Sequence, residues 1–171
     1  MTHPLVPRSA LIALLAVATA TTRVSAQDTS FAGMQGRGKV VMSVDQYASV
    51  HHFDDLADGG RIQLQSDKPD STAIHAIRAH LHGISNAVAN GDFSMPAFVH
   101  MKQVPGTSTM VAKRAAITYS MRELPNGGEL RMVTADPSAR KAIHAFLAFQ
   151  RGEHHAAGRD MHDGMQNPAH P

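Results

Sequence analysis

From Ile117 to Arg122 the chain alternates, with Ile117, Tyr119 and Met121 set against Thr118, Ser120 and Arg122. A period of two marks a half-buried strand whose first set turns to the core. Leu130 and Met132 resume the pattern beyond Asn126-Gly127. Those two residue types suit a two-residue hairpin turn, where both central positions take positive φ. From Pro137 the period changes: Ile143, Phe146, Leu147 and Gln150 recur at helical spacing behind Asp136 as N-cap. Pro137 suits the first turn, and a helix is predicted over about 137–151.

The same order occurs upstream. Residues 49–81 can be laid over 117–149, so that Leu56 matches Leu124, Gly59-Gly60 match Gly127-Gly128, and Ile62 and Leu64 match Leu130 and Met132. After a one-residue shift, "AIHA" at 73–76 matches "AIHA" at 142–145. Asp58-Gly59 reads as the first hairpin turn. A helix is predicted over about 72–90, capped by Asp70 or Ser71, with Ile74, Ile77, Leu81, Ile84 and Val88 as its inner stripe. The predicted fold is therefore α+β, a duplicated ββα unit (repeats about 47–90 and 115–151). One antiparallel sheet would carry two helices packed on one face. Between the repeats, Ala97–Met101 reads as a short strand-like piece and Pro105-Gly106 as a turn.

The ends read differently. Arg8, the apolar run "LIALLAVATA" at 11–20 and "VSA" at 24–26 form a signal-peptide pattern over 1–26. Cleavage after Ala26 and export to the periplasm or beyond are expected. The run is too short to span a bilayer, and no other segment reads as a membrane helix. Residues 27–39 are Gly-rich without periodicity and read as a flexible linker. Residues 40–151 form one domain, and 152–171 read as a disordered His- and Met-rich tail.

Losing the signal changes the charge argument. Arg8 and Arg23 leave with it, taking Lys+Arg from 16 to 14 against 14 Asp+Glu. A neutral chain lacks the electrostatic footprint of a nucleic-acid binder, and that class is discarded. There is no cysteine, hence neither disulfide nor thiolate ligand. Eleven His and nine Met remain once His3 and Met1 are gone, both usable as metal ligands in an oxidising compartment.

Strand phase sorts the histidines. Carrying the phase of Tyr119 to the first copy turns His51 and Phe53 inward and His52 and Asp54 outward. His75, His82 and His144 fall on outer helix faces, while His80 lies at the edge of the inner stripe. His100, between Met95 and Met101, is ambiguous in its face. Three imidazoles bordering one interior, His51, His80 and His100, with Met101 or Met95, suit copper, with zinc as runner-up. An ordinary hydrogen-bonded core histidine is the alternative at His51. His154, His155 and His162 suggest looser binding in the tail, and His154 would rejoin the inner stripe if the second helix ran one turn further. No H-E-x-x-H, G-x-S-x-G, Walker loop or G-x-G-x-x-G in a βαβ setting is present.

"HHF", "IRAHL", "GDFSMPAFVH" and "PG", spread over 47–154, resemble a family of small uncharacterised exported bacterial proteins. The resemblance implies an exported soluble domain and assigns no catalytic residue. The leading expectation is an exported soluble metal-binding protein for copper, without stable membrane insertion. The alternative is a non-metal periplasmic binding or interaction module with structural histidines. An enzyme with an open metal site ranks third, because no general base accompanies the histidines.

Overall fold

The computed structural model describes residues 30–43 and 48–156; the expected signal peptide, most of the expected tail and His162 lie outside the described residues. Two hairpins supply the sheet. Strands β1 (Ser49–Leu56) and β2 (Gly59–Ser66) form the first, and β3 (Thr118–Leu124) and β4 (Gly127–Val133) the second. They join through β2 and β4 into one four-stranded antiparallel sheet of order β1-β2-β4-β3.

The turns differ from the expected ones by one residue. Leu56 pairs with Gly59 and Leu124 with Gly127, which places Ala57-Asp58 and Pro125-Asn126 in the loops. Proline holds φ near −65°, so the second loop cannot have positive φ at both central positions. In the first hairpin the positive φ, 143°, belongs to Gly59 just after the loop. A Cβ there would meet the Met132 carbonyl oxygen at 2.1 Å, so glycine is demanded by the neighbouring strand as well.

Helices α2 (Ser71–Ala89) and α5 (Pro137–Glu153) start where their caps dictate. Asp70 accepts from Thr72 and Ala73, and Asp136 from Ser138 and Ala139. Both lie on one face of the sheet, in a crossed arrangement: α2 packs chiefly on β3 and β4, α5 on β1 and β2. Their buried residues are Ile77, Leu81 and Val88 on α2, and Ile143, Phe146, Leu147 and Gln150 among those on α5. These meet Phe53, Leu64, Leu130 and Met132 from the sheet. The other sheet face is polar. Arg61 and Arg131 stand opposite each other across β2 and β4, each held by its own carboxylate, Asp54 and Asp58 respectively, at 2.7 Å.

Three further helices depart from expectation. The strand-like piece at Ala97–Met101 is the end of α3 (Ser94–His100), begun by a hydrogen bond from Ser94 N–H to Asp92. Short apolar runs fit either period, and Pro96 suits a helix's first turn better than a strand interior. A second short helix, α4 (Thr107–Ala112), follows. Within the expected linker, α1 spans Phe31–Met42, with Ser30 as N-cap. Its glycines conceal it, since its buried positions are Met34, Gly38 and Met42, one turn apart. Packing on α3, with Arg37 Nε donating to the Val99 carbonyl at 2.7 Å, holds a sequence of poor helix propensity. Among the described residues no helix is long and apolar enough to cross a membrane.

Candidate functional site

Where α1, α2, α3, α5 and the first hairpin meet, the core leaves a cavity of about 80 Å³. Four histidines line it, each from a different element: His51 on β1, His80 on α2, His100 at the end of α3, and His154 at the cap of α5. His51 is cross-strand partner to Leu64, another lining residue, whereas His52 pairs with Gln63 and lies outside the lining.

His154 is the hub. Its ring stacks on His51 with centroids 5.4 Å apart and meets His100 edge-on at 5.1 Å. Phe53 flanks both His51 and His154. His100 is buried, its Nε2 is 3.0 Å from Gln150 Oε1, and its Nδ1 is 3.7 Å from a Glu153 oxygen. With the proton on Nε2 donating to Gln150, the Nδ1 of His100 carries a lone pair. Neither His100 Nδ1 nor His154 Nδ1, both buried, has a hydrogen-bond partner.

Burial keeps these rings uncharged. It pushes His51 down to about 4, with His80 and His52 adding to the effect. His80 is also lowered to about 4 by burial, against a hydrogen bond to the Val41 backbone that raises it. His154 falls to about 3, from burial and then from His51 and His100. Burial lowers His100 too, opposed by Gln150 and Glu153. At neutral pH the cavity therefore presents four neutral imidazoles, the form that binds metals.

The rest of the lining is mostly apolar and includes two thioethers, Met42 and Met95. Among the described residues no Asp, Glu, Lys, Arg or Ser borders the cavity. Among the described residues no three His, Asp or Glu side chains stand as a preformed metal cluster. Stacking accounts for this between His51 and His154, because imidazole lone pairs lie in the ring plane.

Of the residues expected at a site, His51, His80, His100 and His154 share this cavity. Met101 does not: it caps α3 with a left-handed φ of 54° and is outside the lining. His155 stacks on Phe31 at 4.3 Å, away from the cavity. His144, expected on an outer face, instead sits over the first hairpin turn, its Nε2 3.0 Å from the Leu56 carbonyl and 2.9 Å from that of Gly59. On the second hairpin Arg78 plays that part, donating to the carbonyls of Leu124 and Gly127. Sequence reasoning missed Met42, because α1 was hidden. The chain matches no family model, no curated protein and no solved structure.

Proposed function

We propose that this protein is exported and binds a transition-metal ion, copper before zinc, through His51, His80, His100 and His154. The observation that carries the reading is the convergence of four neutral imidazoles, two with a buried Nδ1 lacking any hydrogen-bond partner. Leaving such groups unsatisfied costs about 1–3 kcal/mol each, which a ligand would recover. The rings are not a preformed coordination sphere, so binding requires them to turn about their side-chain torsions.

The scaffold reads as a duplicated ββα unit with exchanged helices. Support comes from matched contacts: His144 over Leu56 and Gly59, and Arg78 over Leu124 and Gly127. Likewise Leu147 of α5 sits against Gly60, and Leu81 of α2 against Gly128. Seven residues beyond those leucines come His154 and Val88. Metal binding is thus a property of one copy.

The test is metal content after loading and desalting. His51→Ala and His154→Ala should each lose the tightly held ion, and His52→Ala should keep it. Tight binding that survives replacement of all four lining histidines overturns the proposal. The apolar remainder of the lining favours a second reading, capture of a small apolar molecule. Thermal stabilisation by such a molecule, with none by metals, would support it instead.

A further inference from the structure

The donor atoms that the described residues bring to the cavity are uncharged: four imidazoles, the thioethers of Met42 and Met95, and the amide of Gln150. We propose that the site selects monovalent copper, Cu(I), with Met42 and Met95 completing a coordination sphere begun by His51 and His154. This rests on the metal-binding reading above and specifies the ion.

Two independent properties point the same way. The first is charge. An ion entering a low-dielectric pocket without an anion in its lining pays a desolvation cost that scales with the square of its charge, so a divalent ion pays about four times as much as a monovalent one. Glu153 stands 3.7 Å from His100 Nδ1 and is itself paired with Lys102 at 3.0 Å. The second is softness. Thioether sulfur prefers Cu(I), whereas carboxylate and carbonyl oxygens suit harder ions.

The sulfurs come from elements that pack together. Met42 is the last residue of α1 and is 6 % exposed. Met95 lies in the first turn of α3, against which α1 packs. The first hairpin and the cap of α5 supply the nitrogens, His51 and His154, whose stacked rings must turn for both lone pairs to meet one ion. The one cavity thus gathers soft donors and imidazoles. That explains why methionines occupy wall positions that leucine could fill.

The experiment uses the full chain after Ala26 with His162→Ala and His170→Ala, so that tail imidazoles do not compete. It is titrated without oxygen with Cu(I) against a chromophoric Cu(I) chelator, and in parallel with Zn(II) and Cu(II). One Cu(I) should bind at least tenfold more tightly than either divalent ion, with sulfur among its neighbours by X-ray absorption. Met42→Leu with Met95→Leu, a volume-conserving change, should weaken Cu(I) at least tenfold, remove the sulfur signal and leave Zn(II) binding unchanged. Tight Zn(II) or Cu(II) binding with Cu(I) no tighter, or Cu(I) binding indifferent to both methionines, overturns this inference and leaves the metal reading standing. Failure to bind any of the three ions overturns both.

Discussion

The two helix–hairpin contacts of this protein are built alike and finished differently. On the second hairpin α2 offers Leu81 to Gly128 and Arg78 to the turn carbonyls, with Tyr119 and Val88 in the surrounding apolar core. On the first hairpin α5 offers Leu147 to Gly60 and His144 to the turn, but His51 and His154 stand where Tyr119 and Val88 have their counterparts. The second places two half-buried imidazoles at positions that correspond to a tyrosine and a valine at the other hairpin.

Acid should separate the halves most strongly. The unfolded chain protonates these histidines near their ordinary 6.5, while the folded His51 and His80 stay neutral to about 4 and His154 to about 3. Between those values the unfolded state binds more protons, so stability is full above about pH 6.5 and falls as pH falls. Each histidine contributes a slope of about 1.4 kcal/mol per pH unit. Denaturant midpoints measured from pH 7 to pH 4 should drop steeply. They should drop less steeply in a chain carrying His51→Tyr and His154→Val, in which His80 keeps its share.

The helix seats come next. A Cβ at Gly60 would lie 2.3 Å from Leu147 Cδ1 and 3.0 Å from Ile143 Cγ2, whereas at Gly128 it would lie 3.0 Å from Leu81 Cδ1 and 3.1 Å from Met121 Cε. Gly60→Ala should therefore cost about 2–3 kcal/mol in equilibrium unfolding and Gly128→Ala under about 1 kcal/mol. Equal costs would show that the two seats are equally tight.

Turn capping gives a smaller effect. Arg78→Ala and His144→Ala each strand two carbonyls, an expected loss of about 1–2 kcal/mol by urea titration. The two losses should be similar, because each residue also faces a carboxylate, Arg78 the exposed Glu123 at 2.8 Å and His144 the buried Asp55 at 4.0 Å.

The smallest effect is a gain. Gly36 is exposed in α1, and a Cβ there meets nothing within 4 Å. Gly36→Ala should stabilise the fold by about 0.4–1 kcal/mol, read as a raised Tm.

Periodicity made the sheet, both long helices and their Asp caps legible, because each rests on local spacing. His51 could be turned inward on strand phase alone. The helix register was harder. The repeated "AIHA" pairs His144 with His75, which is exposed, but the turn contacts pair it with Arg78, three residues on. His154 depended on α5 running past Gly152, and Met42 on a glycine-rich helix sustained by its packing on α3 and α2. What was hidden was long-range contact overriding weak propensity.

The proposal that His51 and His154 hold an ion is tested most directly by giving them the tyrosine and valine found at the second hairpin. The chain carrying His51→Tyr and His154→Val is unfolded thermally with and without Cu(I) under anaerobic conditions, beside the unaltered chain. The account predicts an unaltered chain whose Tm rises with Cu(I), and a variant at least as stable without metal whose Tm does not respond. A variant that keeps the full Cu(I)-dependent rise, or an unaltered chain that shows none, would contradict it.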